Sequence, residues 1–210
     1  MTSLASRFSR WDFSAPERER RWRRTDIPEF VRRFFLSGAL FFGLTSALAQ
    51  NQVSREYDLK AVLLYHFTQF VEWPPASFPR PDSPMVIGVL GRDPFGRALD
   101  ILAAQPAENG RRIVIVRLHN LDAARNCHIL FVSDSEQDRL PEITAALRNH
   151  PVLTVGDFED FATAGGIVRF LKTPDDRIRL RINLDSARAS GLNISAKLLR
   201  IAEVISSSKP

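Results

Sequence analysis

Gly91 and Gly96 frame the first stretch of this 210-residue chain that could do chemistry. A strand, a glycine turn and a helix start can hold phosphate on free backbone N–H groups. The spacing Gly91-x4-Gly96 opens like a P-loop, but Arg97 and Ala98 stand where that loop needs Lys and Ser or Thr. No G-x-G-x-x-G is present, so the stretch reads as an ordinary strand-to-helix turn. The four histidines, His66, His119, His128 and His150, show no metal-ligand spacing to one another or to the single cysteine. Each reads as structural or exposed. There is no G-x-S-x-G elbow. Glu159 and Asp160 fall near an expected helix start, where capping and the helix dipole account for them. Asp175 and Asp176 suit a turn. Ser133-Asp134-Ser135 follows an expected strand, where open α/β sheets bind ligands, and is the candidate small-molecule loop. Neither catalytic residues nor a cofactor or metal are expected. Phe67, Phe70, Trp73 and Phe78 cluster where a helix gives way to a loop. They are core, or, where exposed, the kind of aromatic anchor that dominates binding interfaces.

The elements that position these residues follow from periodicity. Tyr57 to Val71 predicts a helix, with Leu63, Phe67, Phe70 and Pro74 at helical spacing and Trp73-Pro74-Pro75 ending it. The proline-rich segment to Pro84 reads as an extended loop. Val86–Leu90, Ile113–Arg117, Ile129–Ser133 and Val152–Val155 are apolar runs of strand length. Asp93 and Pro94 predict the start of a helix to about Ala104, and Leu140–Asn149 another. Asp157 is expected to cap a short helix through Phe161. Gly165-Gly166 introduces a hairpin: Ile167–Lys172 and Arg177–Ile182 alternate at period two around the turn Thr173–Asp176. Leu184–Ser190 is a helix closed by Gly191, and Ser195 caps a last helix with Ala196, Leu199, Ile201 and Ala202 apolar. Strands alternating with helices predict a single α/β domain: a mixed, mostly parallel sheet flanked by helices, with a C-terminal β-hairpin followed by two helices.

Ahead of this domain lies a basic stretch ending at Arg32-Arg33, an apolar run Phe34–Ala47 and the small-x-small triplet Ala47-Leu48-Ala49. That order reads as a secretory signal peptide cleaved after Ala49, with Ala47 and Ala49 as the recognised small residues. The apolar run is shorter than the roughly 20 residues that span a bilayer. An uncleaved anchor is the competing reading. Arg32-Arg33-Phe34-Phe35-Leu36 also resembles a twin-arginine export motif, and Val31 is an alternative translation start. The expected division is a leader and extension over 1–49, a domain over 50–205 and a tail over 206–210. Of 29 basic and 24 acidic residues, positions 1–49 hold nine and five, so the remainder carries 20 against 19. That near-neutral balance, in an exported protein, excludes nucleic-acid binding. The exported part has one cysteine, Cys127, beside the apolar run Ile129–Val132, and it is expected to be buried.

Four stretches in fixed order carry a resemblance. They are Lys60 to Pro74; Val86–Gly91 with Pro94-Phe95; Cys127–Ser133; and Leu153–Val155 through Gly165–Phe170, Arg181–Leu184 and Gly191–Ser195 to Leu198-Leu199. Together they resemble the YfiR/HmsC-like periplasmic proteins over about Tyr57 to Ile205. The resemblance implies a periplasmic domain without catalytic residues. Such proteins bind the periplasmic region of an inner-membrane diguanylate cyclase and repress it, lowering cyclic di-GMP, biofilm and exopolysaccharide output. It also implies a homodimer. Better-known relatives carry more cysteines, so internal redox control is not expected here. On this reading Phe70, Glu72, Trp73 and Phe78 are the expected contacts to the cyclase or a comparable sensor protein. A periplasmic small-molecule sensor module, using Ser133, Asp134 and Ser135, is the alternative.

Overall fold

Four consecutive buried apolar residues, Ile129 to Val132, form the centre of the molecule (β4, Ile129–Val132). A strand apolar on both faces needs cover on both, which is the pattern of a parallel sheet between helices. A computed structural model describes residues 55–106 and 110–206. In chain order it has a helix over 55–70 (α1), β1 (Val71–Glu72), β2 (Met85–Leu90), α2 (Ala98–Ala103), β3 (Ile113–Leu118), β4, α3 (Leu140–Ala146) and β5 (Leu153–Gly156). There follow β6 (Val168–Lys172), β7 (Ile178–Asn183), α4 (Leu184–Ala189), β8 (Asn193–Ile194), α5 (Ala196–Leu199) and β9 (Glu203–Ile205). The expected cleavage site at Ala47 and Ala49, the leader and the tail beyond residue 206 lie outside the described residues.

Seven strands make one sheet in the order β3-β2-β4-β5-β6-β7-β9, and β1 pairs antiparallel with β8 in a small second sheet. Only the β6–β7 pair of the large sheet is antiparallel. This is the expected α/β domain with a mixed, mostly parallel sheet. One core packs α1 and α4 against one face, with Leu64, Phe67, Phe131, Phe170 and Ile182 buried in it. The other packs α3 against the opposite face through Leu130, Val132, Ile143 and Phe161.

The differences from expectation have local causes. In α1 the fully buried line is Ala61, Leu64 and Phe67, while Leu63 and Phe70 are only half-buried. The buried face also includes Lys60 and Thr68, so a count of apolar residues places it one position off. The helix expected from Pro94 begins at Ala98, because Asp93 Oδ1 accepts the Phe95 N–H in a tight turn and Gly96 takes a positive φ of 54°. The helix expected after Asp157 is a series of turns, with Asp160 at φ 60°. The last helix is one turn, and Ile201, in the turn between it and β9, is 73% exposed rather than packed. Gly191 and Ser195 act as read: Gly191 has φ 70°, and Ser195 Oγ accepts the Lys197 N–H.

Candidate functional site

The loop after α1 is held by His128, the residue just before β4. His128 is buried, and each ring nitrogen is committed to backbone. Val86 N–H donates to Nδ1 at 3.0 Å, so Nδ1 carries no proton. Nε2 lies 3.1 Å from the Ser77 carbonyl and donates to it, which makes the ring the neutral Nε2–H tautomer. Burial holds the His128 pKa below its ordinary value; the Ser77 bond opposes this and the Arg111 charge adds to it. Phe78 stacks on the imidazole with ring centres 4.4 Å apart and 8° between planes. The Arg111 guanidinium, 4.2 Å from the Phe78 ring centre, covers the other side and donates to the carbonyls of Pro81 and Ser83. Trp73 packs edge-on to His128, and its Nε1–H donates to the His128 carbonyl at 3.1 Å. Of the expected contact residues, Trp73 and Phe78 are therefore gathered around one histidine.

Phe70 and Glu72 sit apart from that cluster, at the β1–β8 pair. The Phe70 carbonyl accepts the Ser195 N–H at 2.8 Å, and its ring is half-buried. Glu72 is exposed and accepts from Asn193 Nδ2 at 2.8 Å. The four residues thus form a strip along one segment, with Trp73 between the exposed Glu72 and the buried histidine.

Ser133, Asp134 and Ser135 do lie at a switch in strand order, since β3 and β4 flank β2 on opposite sides. The crevice there is closed by its own loops. Ser135 Oγ accepts the Arg92 N–H at 3.0 Å, and a Cβ on Gly91 would come within 2.5 Å of that oxygen. Ser133 is buried and donates to Asp134 Oδ1 at 3.1 Å.

Sequence reasoning missed a buried ionic network at the same end of the sheet. Lys60, 3% exposed, places Nζ 2.6 Å from both Asp157 Oδ2 and Glu56 Oε1. Tyr57 donates its hydroxyl to Asp157 Oδ2 at 2.9 Å, and its ring lies 4.3 Å from the Lys60 ammonium. Lys172 reaches Glu56 Oε2 at 3.0 Å. Burial, with Asp157 beside it, raises the Tyr57 pKa far above its ordinary value. Burial works against ionised Glu56, but hydrogen bonds from Lys60 and Lys172 outweigh it and lower that carboxyl. The available signal was the Glu56-x3-Lys60 spacing on a helix face that is otherwise apolar. The ion pairs tie α1 to Asp157, just after β5, and, through Lys172, to β6, so the network braces the helix against the sheet.

A model of the YfiR/HmsC-like family matches residues 57–203, and the chain belongs to that family. Its members are periplasmic regulatory domains, consistent with a role in cyclic di-GMP signalling alongside a membrane partner. No curated protein matches the sequence. Among solved structures the chain is similar to the ABC domain in complex with L-Trp from Streptococcus pneumonia. The match has 12% identity and a TM-score of 0.42, and covers 58% of this chain and 55% of that one.

Proposed function

We propose that this YfiR/HmsC-like chain is a periplasmic repressor. It binds the periplasmic domain of an inner-membrane diguanylate cyclase, or a comparable sensor protein, and holds that partner inactive. Membership of the family over residues 57–203 is the observation that carries this reading. Phe70, Glu72, Trp73 and Phe78 are the proposed contact strip. It offers a half-buried indole backed by a rigid histidine, with an exposed carboxylate beside it. A preorganised aromatic loses little freedom on binding, which suits an anchor. Export by cleavage after Ala49, a functional domain over 50–205 and a homodimer complete the proposal. The mechanism is a population shift, in which binding favours the inactive sensor conformation over the active one. No nucleic acid takes part, and the reading needs no catalytic step or cofactor.

A second reading, a small-molecule input to the same regulator, is favoured by a cleft of about 490 Å³ beside this strip. Pro74, Ser77, Pro151, Arg188 and Gly191 contribute to its walls. Its size falls in the range of ligand pockets. The Ser133–Ser135 loop is the other candidate for that role.

Cellular cyclic di-GMP in a deletion strain tests the main proposal. The expected result is a rise on deletion, reversed by the full-length gene and not by a leaderless version. An unchanged level under several growth conditions overturns it. Ligand co-purifying with the protein would then favour the sensor reading.

A further inference from the structure

On β6 and β7 the residues alternate between a buried and an open face. Val168, Phe170, Leu180 and Ile182 enter the core against α1. The opposite face carries Arg169, Leu171, Arg179 and Arg181, none of which belongs to either core. Arg169 and Arg181 are direct partners in the antiparallel register. Side chains so paired have Cβ atoms about 5 Å apart, and like charges there repel. The same row continues on both sides. Gly156 pairs with Arg169, and Glu203 with Arg181. A Cβ on Gly156 would strike the Phe161 ring, so that ring lies on this face next to Arg169.

Three arginines on this open face meet one carboxylate. Glu203 Oε2 lies 3.0 Å from Arg181 Nη2 and so serves Arg181. Among the described residues the Arg169 side chain has neither an ion pair nor a hydrogen bond, although its backbone belongs to the ladder. The Nε atoms of both Arg169 and Arg181 are buried without an acceptor. Buried donors in native proteins are nearly always paired, so two orphans on facing arginines need a cause. Register, charge and the orphaned donors all favour the same missing chemistry, an acceptor of negative charge between the two strands.

We propose that Arg169 and Arg181 form a clamp for an oxyanion, a carboxylate or phosphate group, on the open face of β6 and β7. Turning the two guanidinium groups toward such an anion gives each Nε–H an acceptor and screens the like-charge pair. Guanidinium matches both anions in bidentate geometry. Phe161 flanks the pair beside Arg169 and Glu203 flanks it beside Arg181, so the bound anion competes with the Glu203 carboxylate for Arg181. The site is independent of the Trp73 strip and of whether the partner is a cyclase.

The test titrates inorganic phosphate and succinate, separately, into the purified protein at constant ionic strength, with chloride as the reference. Binding is read by calorimetry and by the shift in Tm. The wild type is expected to bind at least one anion and to gain Tm over chloride. Arg169→Met and Arg181→Met should each weaken binding about tenfold or more. Arg80→Met, on a distant loop, should leave it unchanged. Arg169→Met should also raise Tm in chloride, because it removes the like-charge contact. A purely structural arginine would lower it. A response to phosphate alone marks a phosphoryl ligand, and one to succinate alone marks a carboxylate. Arg169→Lys keeps the charge and the fold and serves as the second variant, expected to lose the bidentate part of the binding. No response of the wild type beyond chloride, or equal binding by Arg169→Met, overturns the proposal.

Discussion

Val86 donates its backbone N–H to Nδ1 of His128, across 42 residues of chain, at 3.0 Å. That bond exists only while the imidazole is neutral, because a second ring proton would face the amide proton. His128 is therefore the point at which acid should loosen the loop carrying Trp73 and Phe78. Burial already holds its folded pKa below the ordinary 6.5. Below 6.5 the unfolded chain binds more protons than the folded one, so stability is full above that pH and falls as pH drops toward the folded value. Urea unfolding across neutral to mildly acid pH should show this decline. His128→Gln should be less stable at neutral pH and show a flatter profile. A wild-type profile that the substitution leaves unchanged would assign the acid sensitivity elsewhere.

Legibility from sequence divided along the same line, between local and distant partners. The apolar runs of β2 to β5 and the alternation of β6 and β7 were readable because burial on two faces or one leaves a direct pattern. The Trp73–Phe78 cluster was visible as composition, but its organiser, His128, lies 55 residues from Trp73 and gives no local signal. Asp93 and Asp157 both follow strands and both resembled helix caps. The structure uses them for distant cations, Arg117 at 2.7 Å and Lys60 at 2.6 Å. An aspartate after a strand looks the same in either role. β1, β8 and β9 have two or three residues each, too few to show any period.

Asp157→Ala should destabilise by about 1.5–3 kcal/mol, since it strips one of two carboxylates from a buried ammonium that keeps Glu56. Lys60 and Asp157 side chains are only 4% and 9% exposed, so solvent screens the pair little. Lys60→Met should cost as much or less, and combining the two changes should cost clearly less than their sum, because neither charge is then left alone. Chemical unfolding of the three variants measures this coupling. Strict additivity would show that the two residues act separately.

Gly88 lies in β2 against the buried thiol of Cys127. A Cβ at Gly88 would sit 2.6 Å from Cys127 Sγ and 3.0 Å from Leu130 Cδ1. Gly88→Ala should therefore cost ~1–3 kcal/mol by overpacking. Cys127→Ala in the same chain should recover part of that loss by vacating the sulfur. Burial pushes the Cys127 thiol up to about 11, so the folded protein should resist alkylation near neutral pH. The Gly88→Ala variant should react faster as the packing opens. Equal alkylation rates in the two proteins would show that the strand absorbs the methyl group elsewhere.

Trp73 holds the His128 carbonyl through its Nε1–H and also lies in the proposed contact strip, and two substitutions separate these roles. Trp73→Phe keeps an aromatic ring beside His128 but removes the Nε1–H bond to its carbonyl. It should cost ~0.5–1.5 kcal/mol of stability and leave most of the partner affinity. Trp73→Ala removes the anchor itself and should weaken the complex by about 2 kcal/mol, roughly thirtyfold. Glu72→Ala, at an exposed side chain whose bond to Asn193 lies on the surface, should alter affinity without altering the melting temperature. Binding is measured with the purified periplasmic domain of the proposed diguanylate cyclase partner, alongside thermal unfolding of each variant. If Trp73→Ala stays folded and binds as the wild type does, the contact strip lies elsewhere on the domain. If it loses binding only because it unfolds, the Glu72 variant decides: unchanged affinity there would place the contact surface elsewhere on the domain.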